Sequence, residues 1–383
     1  MNSNTERNLA SRFTVDHKLF GVTLALVFGG LLMVYSSSAA LSADRYGSAE
    51  MIFLRQLAWV IFGMIGMWVM MRVDYHWLKH PAVLFPAISI SLALLAAVLL
   101  VDKVQQTNRW FRWGPLSFQP SELAKIVLVI FLAYWIEKRG EKIDDLLQTV
   151  IPAVVLVGGA AGLILLERDL GTPLVIGLVA ATLFFIAGMR YQYFLGLILA
   201  AIPFLYLMIF RVSYRRDRIL AFLDPYADPL GVGFQTIQSM IAVGTGGVTG
   251  LGLMNGKQKL FFLPEPFTDF IFAVTAEETG LIGAGLVVVL FGIFLWRGWE
   301  ASLNAPDDFG RYLAAGLTLM VIYQAFINMS VTLGMLPPKG FPLPFLSYGG
   351  SSMVFALMSA GILLNISRHG AWGRKLRTLE SQA

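Results

Sequence analysis

The chain has 383 residues, of which 57% are hydrophobic and only 14% are charged, and its formal net charge is +5. Soluble globular proteins carry about 25% charged residues, so this composition leaves too little polar surface to cover a water-soluble fold. The absence of cysteine excludes disulfides, thiolate nucleophiles and thiolate metal sites.

Long uncharged runs indicate an all-α integral membrane protein. A spanning helix needs about 20 mostly apolar residues. We therefore predict about ten transmembrane helices in one polytopic membrane domain, at Leu19–Ala43, Gln56–Met71, Pro81–Val101, Ser121–Ile136, Leu146–Leu166, Leu170–Met189, Tyr191–Phe210, Thr279–Trp296, Tyr312–Pro338 and Gly340–Ser367. The first run has no small-residue cleavage site after it, so we expect it to be retained as a helix.

The Lys and Arg residues between these spans predict the orientation. With a cytoplasmic N-terminus, 15 of the 29 Lys and Arg residues lie inside and 14 outside. Six of the outer 14 fall in the 211–268 loop, so the short outer loops hold 8 against 15 inside. Long loops are translocated largely regardless of charge, so the corrected comparison places both termini, 1–18 and 368–383, in the cytoplasm.

In this topology helices 1–7 occupy 19–210 and helices 8–10 occupy 269–367. A large extracytoplasmic loop, 211–268, joins helices 7 and 8. Its run Leu230–Gly256 is uncharged but contains eight glycines. We interpret that run as a loop or re-entrant segment, because irregular backbone at membrane depth must be buried in protein or line a wet cavity.

The first outer-face motif runs from Asn108-Arg109-Trp110 to Gln119-Pro120-Ser121-Glu122 and ends at Lys125. Glu122 and Lys125 are three residues apart, so they share a helical face and can pair. A structural ion pair and a functional role are both open, because ionisable residues within the membrane are costly and are usually functional.

The second motif is Asp169-Leu170-Gly171-Thr172, in the short turn between the fifth and sixth spans. Aspartate immediately before a helix is a preferred capping residue. We therefore favour a capping role for Asp169 over a functional one.

The third motif ends the long loop and contains Thr268-Asp269-Phe270. Asp269 could cap the eighth helix, but Thr268 could do so equally well. An aspartate between aromatic residues at the lipid boundary is expensive without a functional reason.

The fourth motif, Pro337–Ser352, contains too many prolines and glycines for a regular helix. The backbone N–H groups near Ser351 and Ser352, together with Lys339, form a candidate anion site, and a simple turn is the alternative.

The predicted topology restricts the available chemistry. Its four histidines all lie on the cytoplasmic side, and neither a phosphate-binding GxxxxGK[ST] loop nor an HExxH motif occurs in the sequence. Acid–base chemistry on the outer face must therefore use a carboxylate or, less often, Tyr or Lys.

In order and spacing, these motifs resemble the SEDS family (shape, elongation, division and sporulation proteins) from about Asp16 to His369. Within that family the chain is more similar to the division members (FtsW) than to the elongation members (RodA). The residues that carry the resemblance are Gln119-Pro120-Ser121-Glu122 with Lys125, Asp224-Pro225 with Asp228-Pro229, Thr268–Ala273, and Ser347-Tyr348-Gly349-Gly350-Ser351-Ser352. Three departures are Phe267, where the family usually has histidine, Arg168, where proline is common, and Thr279, where the usual Glu-Glu-Leu-Gly has leucine.

The resemblance implies a peptidoglycan glycosyltransferase that joins lipid II units on the outer face of a bacterial cytoplasmic membrane, during division or elongation. It implies that Asp269 is the catalytic carboxylate. It also implies a class B penicillin-binding protein and other division or elongation membrane proteins as partners, with no nucleic acid. A divalent cation, Mg²⁺ or Mn²⁺, is expected with Asp269 as its candidate ligand, and no organic cofactor.

The chemistry of this reaction agrees with the residues. The attacking sugar hydroxyl needs a base, and Asp269 is the best-placed candidate. The pyrophosphate leaving group needs positive charge. The residues that we expect to bind substrate are Arg109, Glu122, Lys125, Arg215, Arg216, Arg218, Lys259, Lys339 and Ser347.

Two alternatives stay open: a lipid II flippase or transporter, and a non-catalytic division scaffold. A flippase should need charges along a path through the bundle, whereas the candidate charges here collect at the outer end. A scaffold would not need Asp269. We expect the single-pass transpeptidase partner to bind through small and apolar lipid-facing residues of the eighth and ninth helices; in the ninth, Ala314, Ala315 and Gly316 permit close approach.

Overall fold

Helices make up most of the structure, a computed structural model that describes residues 15–100, 109–113, 116–211, 213–338 and 340–380. The helices are α1 His17–Tyr46, α2 Met51–Arg72, α3 Pro81–Val98, α4 Pro120–Arg139, α5 Ile151–Leu166, α6 Gly171–Ile186, α7 Tyr191–Phe210, α8 Ser213–Leu223, α9 Phe234–Gly246, α10 Ile271–Leu303, α11 Asp308–Thr332 and α12 Gly350–Glu380. Short 3₁₀ turns lie at Tyr75–Lys79, Gly140–Lys142 and Pro225–Ala227, and a π-helical turn, Leu146–Val150, precedes α5. Strands β1 Phe111–Trp113 and β2 Leu116–Phe118 pair antiparallel, with Arg112 opposite Ser117.

Seven helices within the described residues are long and apolar enough to cross a membrane. They are α1, α2, α3, α5 with its preceding turn, α10, α11 and the Gly350–Gly370 part of α12, and α6 is a shorter apolar helix. This confirms a mostly helical, multi-pass membrane protein, although the pair of strands β1 and β2 departs from the predicted all-α fold.

The last predicted span begins too early. Gly340 was expected to start it, but α12 starts at Gly350. The residues between α11 and α12, 333–349, are not helical where the structure describes them, and we call them the connecting segment. Pro342 and Pro344 lack the N–H that a helix interior requires, which explains the delay.

The glycine-rich run in the long loop is also more ordered than expected, because it contains helix α9. Ile237 and Ala242 are both buried in α9, while the glycines concentrate near and beyond its C-terminal end. The apolar spacing of this stretch therefore outweighed its glycine content.

Helices α11 and α12 lie at the centre of the bundle. In the apolar window of α11 78% of residues are buried, against 28% in α2 and α3, whose apolar side chains face outward. Ala314 and Ala315 are fully buried, and Gly316 packs against Val129 and Leu183. These small residues serve the core, so the expectation that they face a partner in the lipid is wrong.

Helix α10 is broken near its start at Gly280, whose φ of 65° is in the left-handed region that favours glycine. Across this break the backbone N–H groups of Leu251 and Gly252 donate to the carbonyls of Glu277 and Glu278, both at 3.0 Å. The end of the long loop is thereby attached to the first turns of α10.

Candidate functional site

Asp269 lies directly before α10, where several segments from distant parts of the chain meet, and it is partly buried. Burial raises the pKa of its carboxyl group to about 7, while the positive charges of Arg109 and Arg218 act in the opposite direction. Glu265 and Asp169 raise it further. A carboxyl group in this range can exchange a proton near neutral pH.

Arg109 reaches the site from the residues before β1. Its Nε donates to the carbonyl oxygen of Glu167 at 3.2 Å, and Nη2 donates to that of Arg168. Both acceptors are uncharged, and the guanidinium charge still acts on Asp269. Arg168 itself has a φ of 68°, an angle that a proline ring cannot adopt.

The second motif forms the start of α6. The Asp169 carboxylate accepts hydrogen bonds from the backbone N–H of Gly171 at 2.8 Å and of Thr172 at 3.2 Å, and from the Thr172 hydroxyl at 2.8 Å. The capping role that the sequence predicts for Asp169 is therefore present, although its charge also acts on Asp269.

Glu167 is an acidic residue of this region that lies outside the four sequence motifs. It is fully buried, and neither carboxyl oxygen has a hydrogen-bond partner within the described residues. Burial, and then the charge of Asp169, raise the pKa of Glu167 to about 9, with Arg109 opposing them. Glu167 is therefore uncharged at neutral pH.

Arg218 approaches from α8, and its Nη1 donates to the carbonyl oxygen of Pro338 at 3.1 Å. Arg216, on the same helix, is exposed and pairs with its neighbour Asp217 at 3.4 Å. Lys339 and the side chain of Arg215 lie outside the described residues. Of the basic residues predicted to bind substrate, the structure thus places Arg109 and Arg218 near Asp269.

The connecting segment lies against the backbone that carries Asp269. The Ser347 hydroxyl donates to the carbonyl oxygen of Thr268 at 2.5 Å and accepts from the N–H of Leu343 at 2.8 Å. The ring of Phe267, which replaces the usual histidine, packs edge-on against Tyr348 with centroids 5.5 Å apart. Ser347 is committed to backbone partners, which favours an organising role over direct contact with substrate.

Glu122 and Lys125 form the predicted pair, with Nζ and Oε2 3.0 Å apart and both side chains 5% exposed. Lys125 also donates to Oε1 of Gln324 at 2.6 Å, and the Gln324 amide donates to the carbonyl oxygen of Pro342 at 2.8 Å. The pair and Gln324 line a cavity of about 10 Å³, roughly the space of one water. This geometry favours the structural interpretation, in which the pair supports the connecting segment.

Lys259 is also engaged elsewhere than at Asp269. Its ammonium lies 2.6 Å from Oε1 of Glu278 and 2.9 Å from the Ser36 hydroxyl, and all three side chains are buried. Glu277 accepts from the N–H of Lys257 at 2.8 Å. These contacts attach the end of the long loop to α1 and α10, which favours a structural role for Lys259.

The start of α12 is buried as well. The Ser351 hydroxyl accepts a hydrogen bond from the N–H of Gln119 at 3.1 Å, and Ser352 lines the small cavity beside Glu122. Both serines are almost inaccessible. The geometry therefore favours the simple-turn alternative over an open anion site at these residues.

Two polar residues of α11 organise the site and were missed in the sequence. Gln324 and Asn328 are four residues apart and therefore share one helical face. The Asn328 amide donates to the carbonyl oxygen of Asp269 at 2.9 Å and to that of Phe341 at 3.0 Å. Two amides on one face of an uncharged span were the signal available, because amides inside apolar helices need polar partners.

Comparison with known proteins gives a consistent result. The sequence profile of the FtsW/RodA/SpoVE family of cell cycle proteins matches residues 16–371. The "Probable peptidoglycan glycosyltransferase FtsW" of Geobacter metallireducens is 41% identical over 96% of this chain and 98% of its own length. Stage V sporulation protein E of Bacillus subtilis is 40% identical over 93% of this chain and 98% of its own length.

Solved structures show the same relationship. A chain in a structure described as "Structural coordination of polymerization and crosslinking by a peptidoglycan synthase complex" matches with a TM-score of 0.76 and 33% identity. The match covers 93% of this chain and 98% of that chain. The rod shape determining protein RodA of Thermus thermophilus has a TM-score of 0.68 and 26% identity, covering 94% and 98%. The chain therefore belongs to the FtsW/RodA/SpoVE family of cell cycle proteins.

Proposed function

We propose that this chain is a peptidoglycan glycosyltransferase that polymerises glycan strands from lipid II, with Asp269 as its catalytic carboxylate. The observation that carries the proposal is Asp269 itself. It is a partly buried carboxyl group with its pKa raised to about 7, facing the charges of Arg109 and Arg218. Relatives named peptidoglycan glycosyltransferase, similar over nearly the whole chain, support the same assignment.

In this reaction a sugar hydroxyl of lipid II attacks the anomeric carbon of a glycan chain held on undecaprenyl pyrophosphate. The new glycosidic bond forms as the bond to the pyrophosphate oxygen breaks, and the electron pair leaves with the pyrophosphate. Asp269, in its ionised form, takes the proton of the attacking hydroxyl, a contribution of roughly 10²–10⁴-fold for a positioned general base.

The leaving pyrophosphate develops negative charge that must be stabilised. Arg109 and Arg218 are the described cations whose charges act on Asp269, and fixed positive charge at a developing anion lowers the barrier. Arg109 is held by two backbone carbonyls of the turn between α5 and α6. Arginine suits this role because its planar guanidinium can bind two phosphate oxygens at once.

The residues around Asp269 would suit a divalent cation that needs few protein ligands. Within the described parts of the chain, no group of three His, Asp or Glu residues could hold a metal ion. Mg²⁺ commonly binds through one or two carboxylates plus substrate phosphates. Asp269 would hold it here, and the ion would supply additional positive charge to the pyrophosphate.

The position in the membrane follows from the charge distribution. We infer ten spanning helices with both termini in the cytoplasm and with the site at the extracytoplasmic face. The seven long apolar helices support the spanning architecture, and the excess of Lys and Arg in short loops on one side supports the orientation.

A class B penicillin-binding protein is the proposed partner. The buried residues of α11 cannot serve as the contact, so we place it on the lipid-facing side of α10, where Leu281, Leu286 and Val289 are exposed. Co-purification of the two proteins that survives replacement of Leu286 and Val289 by Trp would place the contact elsewhere.

The assignment of Asp269 is tested with Asp269→Asn in purified full-length protein together with its partner. Asparagine keeps the shape but cannot accept a proton, so polymerisation of labelled lipid II should be lost while folding, partner binding and lipid II binding persist. Asp145→Asn is a matched control: Asp145 also caps a helical turn, accepting from the N–H of Gln148 at 2.9 Å, and asparagine caps helices well. Long glycan strands made by Asp269→Asn at the wild-type rate would falsify the catalytic role.

The same preparation separates the alternative functions. A flippase predicts that lipid II translocation in liposomes fails in Asp269→Asn and that the wild type makes no polymer. A scaffold predicts no polymer from any variant and unchanged partner binding. Polymer from the wild type alone supports the glycosyltransferase.

A further inference from the structure

The backbone leading into Asp269 is held at three consecutive positions. The carbonyl oxygen of Phe267 accepts from the N–H of Tyr348 at 2.8 Å, and that of Thr268 accepts from the Ser347 hydroxyl at 2.5 Å. The carbonyl oxygen of Asp269 accepts from the Asn328 amide at 2.9 Å. The first two donors belong to the connecting segment, and the third comes from α11.

Unlike the other two donors, the Asn328 amide donates two hydrogen bonds. The same amide nitrogen donates to the carbonyl oxygen of Phe341 at 3.0 Å. One side chain therefore joins the backbone of Asp269 to the connecting segment. Because both neighbours are acceptors, a flipped amide would place oxygen against oxygen, so only one orientation is compatible with them.

This arrangement has an energetic cost. Asn328 is buried, and its Oδ1 has no hydrogen-bond partner among the residues that the structure describes. A buried acceptor without a partner costs about 1–3 kcal/mol. A residue that served stability alone would not need to carry this cost, which points to a role in holding the two carbonyl groups at a fixed separation.

The backbone one residue before this second carbonyl group lies close to the reacting carboxylate. A Cβ atom added to Gly340, the residue before Phe341, would lie 2.9 Å from Oδ2 of Asp269. The backbone of the connecting segment thus passes directly beside the carboxylate. Asn328 therefore contacts both the main chain of Asp269 and the connecting segment that passes beside the Asp269 side chain.

We propose that Asn328 is a positioning residue that fixes the Asp269 carboxylate relative to the connecting segment. This inference rests on the proposed catalytic role of Asp269. Asn328 touches no reacting atom; its amide sets the geometry in which the carboxylate meets the sugar hydroxyl.

The test compares Asn328→Leu with a matched control, Asn365→Leu. Asn365 on α12 also donates its amide to two backbone carbonyls, those of Met71 and Val73, each at 2.9 Å. Both variants lose a double donor from a buried site, so both should lower the thermal stability of the full-length protein. Only the Asn328 variant should impair the chemistry.

With purified enzyme, its transpeptidase partner and fluorescent lipid II, we expect kcat to fall about 10²-fold in Asn328→Leu with KM unchanged, since a misplacement of 1 Å can have that effect. The pH profile of kcat should also shift, because the surroundings of the carboxylate change. A purely structural role predicts an unchanged profile and a kcat loss no larger than that of Asn365→Leu, and that result overturns the proposal.

A second variant covers failure to fold. Asn328→Ala removes both hydrogen bonds without adding bulk or charge, and it should show the same loss of kcat at unchanged KM. Asp269→Asn separates the two hypotheses. If Asp269→Asn keeps its rate, the catalytic role of Asp269 fails; if it is inactive while both Asn328 variants match the control, only the positioning role fails.

Discussion

Breaking the buried ion pair of α4 should destabilise the protein far more than removing it. Glu122 and Lys125 are 5% exposed and 3.0 Å apart, so Lys125→Met would leave a buried carboxylate without its cation. Such a loss costs about 3–5 kcal/mol. Glu122→Met should cost a similar amount, because Lys125 would keep only the neutral acceptor Gln324.

The double variant Glu122→Met/Lys125→Met removes both charges together. Replacing a buried pair by apolar residues is often neutral or stabilising, but here it leaves Oε1 of Gln324 without its donor. An unsatisfied buried acceptor costs about 1–3 kcal/mol. If each single variant loses at least about 3 kcal/mol of unfolding free energy, the two losses sum to about 6 kcal/mol. The double variant should lose at most about 3 kcal/mol. The coupling free energy is therefore at least ~3 kcal/mol.

The assay is thermal or denaturant unfolding of the three variants and the wild type in one detergent. Exchanging the two charges, Glu122→Lys with Lys125→Glu, should restore less stability than the double Met variant. The carboxylate at position 125 would face Oε1 of Gln324. Turning the Gln324 amide would avoid this contact but break its hydrogen bond to the carbonyl oxygen of Pro342. Additive losses in the double variant would refute the buried pair, and so would two single variants as stable as the wild type.

Three further predictions concern the site and the topology. Arg109→Gln removes a charge that lowers the pKa of Asp269, so the acid limb of the kcat/KM profile, expected near pH 7, should move to higher pH; an unmoved limb would contradict the electrostatic coupling. Arg168→Pro should cost about 3 kcal/mol or more in unfolding experiments, because the φ of 68° and the N–H bond to Leu165 are both incompatible with proline. Arg168→Gly is its control and should stay within about 1 kcal/mol of the wild type. Because the chain has no cysteine, a cysteine at Ala227 should react with an impermeant thiol reagent added outside intact cells and one at Glu141 should not; the reverse pattern inverts the topology.

The sequence predicted the architecture because membrane insertion depends on local composition. Uncharged runs located the apolar helices, and the proline-rich stretch after α11 was correctly expected to be irregular. The errors arose where two local signals conflicted. In α9 the apolar spacing around Ile237 prevailed over the glycines, and in the last span Pro342 prevailed over the absence of charge.

The composition of the site was less accessible, because it depends on contacts between distant residues. The contact between the Asn328 amide and the Asp269 carbonyl spans 59 residues, and that between Arg109 and the Glu167 carbonyl spans 58. Arg109 and Lys259 could not be distinguished in the sequence, since both are basic residues of the predicted outer face. The structure separates them: Arg109 acts on Asp269, whereas Lys259 is paired with Glu278.

The contact between Ser36 and Glu278 also has a consequence for the order of folding. The two residues are 242 positions apart, and Lys259 completes the cluster. At a synthesis rate of about 5–20 residues per second, α1 waits roughly 10–50 s before Glu278 is made. Its serines have local acceptors in that interval, as Ser37 shows by donating to the carbonyl oxygen of Met33 at 2.6 Å. The contacts that attach the end of the long loop to α1 can therefore form only after the start of α10 has been synthesised, later than those among the first seven helices.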